Sequence, residues 1–172
     1  MIKFIFGILV GIVLLLAAGF VFVTQGGLSM KTAGGPLPME GMLAHRALEA
    51  SIGKSAQNQA PMAADEPTLL AGAQIYMHNG CAGCHGPLGD NNKERGRQFY
   101  PHAPHLLPPS RGVTDDPVGA THWVVQNGIR FSAMPSFTGK LSEDQLWQVS
   151  LLLANANKLS PSVQQALKPE AR

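Results

Sequence analysis

The apolar positions of this chain follow two different patterns. From Phe4 to Val23 twenty consecutive residues, FIFGILVGIVLLLAAGFVFV, carry no polar side chain. A helix rises 1.5 Å per residue, so such a run spans about 30 Å, the thickness of a bilayer's hydrocarbon core. It predicts one transmembrane helix within residues 1–23. Beyond residue 64 the apolar residues recur at helical spacing instead. Asp65-Glu66-Pro67 opens one helix, with Leu69, Leu70, Ala73 and Tyr76 on one side and Gly72 placed to let another helix approach. Asp116-Pro117 opens a second, which runs through Trp123 to about Asn127, with Gly128 at its end. Ser142 and Gln145 form a capping box, and Leu141 against Leu146 forms a hydrophobic staple. The third helix then runs to about Ala156 and buries Leu146, Val149, Leu152 and Leu153. No alternating strand pattern of useful length and no internal repeat is present. The pattern predicts an all-α domain over residues 65–158.

Residues 24–64, rich in Gly, Ala, Ser, Gln and Pro, read as a linker that buries no core alone. Within it residues 38–50 predict a short helix, with Pro38 at its start and Glu40 in its first turn. Met39, Met42, Leu43, Ala47 and Ala50 share one side, so the helix is expected to dock with that stripe inward and His45 and Arg46 solvated. Residues 159–172 read as a C-terminal tail.

Charge sharpens the division. No Asp, Glu, Lys or Arg stands between Lys3 and Lys31. The apolar run is longer than the 7–15 residues usual for a cleaved secretory signal, which favours a retained anchor. Lys3 before the run weakly sets the N-terminus in the cytoplasm and residues 24–172 outside. Gly7 and Gly11 fall at GxxxG spacing, a common feature of such helices. The formal charge of +2, with no long Lys/Arg run, argues against nucleic-acid binding. Two cysteines allow at most one bridge, which excludes a disulfide-stapled scaffold.

The sharpest chemical signal is Cys81-Ala82-Gly83-Cys84-His85, the C-x-x-C-H pattern of covalent haem attachment. Two thiols three positions apart suit the two vinyl groups of one porphyrin, and the histidine that follows suits the iron as proximal ligand. A thioredoxin-like pair needs a βαβ setting that these flanks lack. A zinc site needs a second pair of ligands, and there are no further cysteines. For a second axial ligand the candidates are Met77, His78, His102, His105, His122 and Met134. Met77 and His78 stand too near the attachment site to cross the ring. Met134 lies in Gly128-Ile129-Arg130-Phe131-Ser132-Ala133-Met134-Pro135, where glycine ends a helix and proline stiffens a loop. It is the first choice, with His102 and His105 as runners-up, otherwise exposed loop histidines. His122 is expected to face outward from its helix. Arg111, Trp123, Arg130 and Tyr100 are candidates to hold haem propionates, and equally read as core aromatics and solvated arginines. Lys93, Glu94, Arg95 and Arg97 form a net-positive loop, solvated or steering an acidic partner.

Taken together, the segments CAGCHG at 81–86, APHL at 103–106 and NGIRFSAMP at 127–135 resemble class I c-type cytochromes, in particular single-haem domains on a membrane anchor. The resemblance covers roughly residues 65–158. It implies a cytochrome c-like helical fold around one covalent haem c, with the first and last helices crossing. It implies that the Pro104 carbonyl holds the His85 ring through Nδ1. It also implies haem attachment outside the bacterial cytoplasm, hence an inner-membrane protein with its soluble domain in the periplasm. The expected function is electron transfer with redox protein partners of a respiratory or dehydrogenase chain, and with no small-molecule substrate of its own. The competing reading is a haem enzyme or gas sensor with a labile sixth ligand.

Overall fold

The computed structural model of the chain describes residues 1–90 and 96–169 and falls into two compact units, Met1–Pro38 and Met39–Arg172. The first unit is dominated by α1 (Ile2–Thr24), which has no buried residue. Its 23 residues give a rod about 35 Å long, apolar from Phe4 to Val23. It matches in length and composition a helix able to cross a membrane.

The second unit is all-helical. It contains α2 (Glu40–Ile52), α3 (Glu66–His78), the short α4 (Cys81–His85), α5 (Val118–Asn127), α6 (Glu143–Ala154) and α7 (Pro161–Ala166). Among the described residues there is no strand, only an isolated bridge between Thr138 and Leu141. The helix starts obey local chemistry. The Asp65 carboxylate accepts from Thr68 N–H at 3.1 Å, and Ser142 and Gln145 exchange both bonds of a capping box.

The core forms where α3 crosses α6. Leu69, Ala73, Ile75 and Tyr76 meet Leu146, Val149, Leu152 and Leu153. Gly72 sits at the crossing, where any Cβ would collide with the Gln148 carbonyl, so the two backbones touch. This is the expected crossing of the first and last helices of the predicted domain. α5 packs on α6 in turn.

The unit extends beyond the predicted domain at both ends. Upstream, the 3₁₀ turn Gly53–Gln57 lies against α5 so closely that Gly119 has no room for a Cβ, and Ala60 and Met62 pack on the core. Downstream, the segment expected as a tail forms α7. Its start is capped by Ser160, and Val163 and Leu167 are fully buried. The two are four residues apart and so share one helical face. α2 also departs from expectation. It forms close to the predicted span, but Met39, Met42 and Leu43 point away from the unit, and the opposite side, with Leu48 and Ile52 half-buried, faces inward. Helical spacing identifies a stripe; it does not say which stripe finds a partner.

Candidate haem site

The site begins at the end of α3. Gly80, with φ of +91°, reverses the chain into α4, and Gly86, with φ of +81°, ends it. Both conformations are disfavoured for side-chain-bearing residues. The fully buried Tyr76 donates its hydroxyl to the Gly86 carbonyl at 2.7 Å, which ties the end of α4 to the core. Burial pushes the Tyr76 phenol well above its usual range, so it stays a donor at any pH the fold meets.

Cys81 and Cys84 are both half-buried, one turn apart, and not bonded to each other. Burial pushes the Cys81 thiol up to about 11. His85 donates from Nδ1 to the Pro104 carbonyl at 2.6 Å. A carbonyl only accepts, so this bond puts the proton on Nδ1 and leaves the Nε2 lone pair for a metal. Burial, opposed by the Pro104 carbonyl, holds His85 below the usual histidine range, the neutral form that a ligand requires. Cys84 and His85 open onto a cavity of about 470 Å³ that is also lined by Arg97, His102, Ala103 and His105.

The two loop histidines differ. His102 is exposed and donates from Nδ1 to the Phe99 carbonyl at 2.8 Å. His105, expected in solvent, is half-buried: Nδ1 bonds the Leu107 carbonyl at 2.9 Å, and Nε2 packs against Gly86, where an added Cβ would come within 2.8 Å. Close packing against a glycine draws this ring into the fold.

Met134 is half-buried against the core and does not line that cavity. Its loop is tied to itself and to the end of α5. Ile129 N–H donates to the Met134 carbonyl at 3.2 Å, Ser132 Oγ to the Ile129 carbonyl at 2.8 Å, and Met134 N–H to Ser132 Oγ at 3.1 Å. Ser136 Oγ donates to the Gln126 carbonyl at 2.6 Å. Gly128, with φ of +71°, lets the chain leave α5 beside Ser136.

The propionate candidates are scattered. Arg111 is exposed and pairs with Asp115 at 2.6 Å, and Arg130 is exposed. Trp123 is half-buried, and Tyr100 hydrogen-bonds the Glu40 carboxylate of α2. Lys93, Glu94 and Arg95 lie outside the described residues.

His122 overturns its expected outward placement. It is buried and stacked on Trp147 at 3.8 Å and 14° between planes, with Nε2 3.1 Å from Glu143 Oε1. α5 buries Thr121, His122 and Val125 against α6, and the ring fills the space above Trp147. Burial, opposed by Glu143, lowers its pKa. The partner is supplied by a helix more than twenty residues on, so no local signal reveals it.

Residues 67–151 match the family described as "Cytochrome C oxidase, cbb3-type, subunit III". This chain carries a c-type cytochrome domain. Its cofactor is haem c, bound covalently. The residues fit that group: two thiols at the required spacing, an imidazole whose tautomer is fixed for metal binding, and a cavity that both Cys84 and His85 line. A solved structure from Kuenenia stuttgartiensis, the reducing HAO-like protein complex, is similar at 21% identity and a TM-score of 0.44. That similarity covers 62% of the cytochrome and 56% of the other chain, so the cytochrome spans little more than half of its length. None of the curated proteins matches this sequence.

Proposed function

We propose that this cytochrome is a membrane-anchored, single-haem electron carrier working with redox protein partners of a respiratory chain, and that it transforms no small-molecule substrate. The bond from His85 Nδ1 to the Pro104 carbonyl carries the reading. It fixes the ring plane and raises the basicity of Nε2, as ligating histidines require. In this reading Cys81 and Cys84 would hold the haem through thioethers, and His85 and Met134 would ligate its iron. Bound there, haem supplies a one-electron ferrous–ferric couple, and methionine opposite histidine raises its potential. The protein's part is to hold both ligands still, so that little reorganises when charge changes. The hydrogen bonds of the 128–136 loop supply that stiffness on the methionine side.

α1 keeps the domain at the membrane and raises its effective concentration beside membrane-bound partners. The reading places residues 24–172 on the periplasmic side of a bacterial inner membrane, where Lys3 keeps the N-terminus cytoplasmic. The family's description favours a partner within a terminal oxidase complex.

The test is direct. The protein, matured in a host competent for haem attachment, should give a pyridine haemochrome of c type and a mass equal to the full chain plus one haem. A mass that lacks residues 1–23 would remove the anchor, and a low-spin spectrum converted rapidly by carbon monoxide would remove Met134 as a firm ligand.

A further inference from the structure

The outward side of α2 carries Met39, Met42 and Leu43 around Arg46, with the His45–Glu49 pair along its edge. Met39, Met42 and Leu43 are 62%, 50% and 55% exposed. Arg46 and Ala50 lie along the same side by helical spacing. The opposite side meets the Gly53–Gln57 turn and α5, so the outward side has no partner within its own unit. Glu40, at the start of α2, bonds Tyr100 in the loop that continues to His102 and His105.

Apolar exposure is unevenly distributed along the chain. Among the described residues every exposed large apolar side chain lies at or before Leu43, with the single exception of Phe131. The series runs from α1 through Leu28, Met30 and Leu37 to Met39, Met42 and Leu43 without a break of more than seven residues. A protein surface that exposes apolar groups in one stretch marks what covers it. For α1 that cover is lipid in the reading above, and continuity extends it to α2.

The tether supports the same occupant. Fifteen residues separate Thr24 from Glu40, and Lys31 is their one charged residue. A flexible chain of that length averages about 20 Å end to end. The bilayer interface is therefore present at α2 at high effective concentration, and a small apolar face suffices to hold it. A second copy of the chain is the weaker occupant. Three side chains on one short helix cover far less than the roughly 800 Å² per partner of a stable protein interface.

We infer that the Met39–Met42–Leu43 face of α2 lies in the headgroup–acyl boundary of the membrane. There it acts as an interfacial helix that holds the cytochrome domain on the bilayer. Arg46, between Met39, Met42 and Leu43 by helical spacing, lays its stem along the apolar stripe and carries its guanidinium to the level of the phosphates, and Glu49 and His45 stand at the edge of the face. Because α2 bonds the loop beside His102 and His105, the contact also sets which side of the domain is turned to membrane-bound partners. The inference rests on the anchoring proposed above, and the experiment separates the two.

The full-length holoprotein is reconstituted into phosphatidylcholine–phosphatidylglycerol vesicles, with and without bromine on the acyl chains, and tryptophan emission is compared between the two. Three variants are read against the parent chain, whose Trp123 and Trp147 supply the background: Leu43→Trp in α2, Leu15→Trp in α1, and Gln165→Trp on the exposed side of α7. Expected are a loss of roughly half the added emission for Leu43→Trp, a comparable loss for Leu15→Trp, and no change for Gln165→Trp, since bromine quenches only rings within the membrane boundary. Quenching of Leu15→Trp without Leu43→Trp overturns the interfacial helix and leaves the anchor standing. Quenching of neither removes the anchor and the inference with it. Emission from Leu43→Trp that ignores bromine but shifts as protein is diluted in lipid assigns the face to a second copy and overturns the proposal.

Discussion

Two segments carry the proposed iron ligands, and they are built differently. Cys81–His85 is fixed by bonds that cross the fold: Tyr76 to the Gly86 carbonyl over ten residues, and His85 to the Pro104 carbonyl over nineteen. The Met134 loop is fixed by bonds among its own residues and to Val125 and Gln126 at the end of α5. The first segment moves only if the α3–α6 core moves with it. The second is expected to open as a local unit, giving up only the core contacts of Met134 and Phe137. A cytochrome made this way keeps its proximal histidine and, under stress, gives up its methionine first.

The strongest way to break the comparison is to cut the covalent link. Replacing Cys81 and Cys84 together by Ser should abolish attached haem, read as a mass equal to the bare chain and no haem stain on a denaturing gel. Haem that stays attached would overturn the assignment of both thiols. Met134→Ala should do something narrower. The attached haem and the fold should remain, while the reduced protein gains rapid carbon monoxide binding and its potential falls. An unchanged spectrum would dismiss Met134 and return the choice to His102 or His105.

Next in size are changes to the scaffold itself. Gly72→Val forces a branched side chain between α3 and the Gln148 carbonyl. Overpacking of this kind costs about 2–3 kcal/mol, visible as a lower denaturant midpoint at unchanged slope. Tyr76→Phe leaves the buried Gly86 carbonyl without its donor and should cost about 1–3 kcal/mol of global stability. Ser132→Ala removes a bond within the Met134 loop and should cost about 1 kcal/mol or less globally. Its effect should appear instead as faster exchange of the sixth ligand for added imidazole. If Ser132→Ala lowers global stability as much as Tyr76→Phe, the two segments are not independent.

The parts of this architecture that were legible in the sequence are those written in short-range chemistry. The Asp65 and Ser142 caps, the glycine at residue 72 and the C-x-x-C-H spacing each act within a few residues. The acceptor for the His85 ring, nineteen residues on, came only through resemblance to a family. Three features needed the folded chain. α7 was hidden because its two core residues, Val163 and Leu167, sit in a short polar segment. α2 turned its predicted inner stripe outward because periodicity is blind to which side is covered. His122 was hidden because its partner, Trp147, belongs to another helix.

That last pair gives the smallest and most selective test. His122 pins α5 to α6, and α5 ends in the loop that carries Met134. Burial lowers its native pKa, while in the unfolded chain it titrates near 6.5. Below about 6.5 the unfolded state therefore binds more protons than the native state, and stability falls with pH until the native value is reached. Above 6.5 the contribution is complete and the slope vanishes. His122→Gln removes the titration, so the stability difference between variant and parent should shrink as pH falls from 7.5 to 5.5. The same acid step should speed sixth-ligand exchange in the parent and not in His122→Gln, since loosening α5 loosens the methionine loop before it touches the segment of His85. A pH-independent difference would mean that the Glu143 carboxylate, 3.1 Å from Nε2, cancels the cost of burial. The methionine side would then be as insensitive to acid as the proximal side.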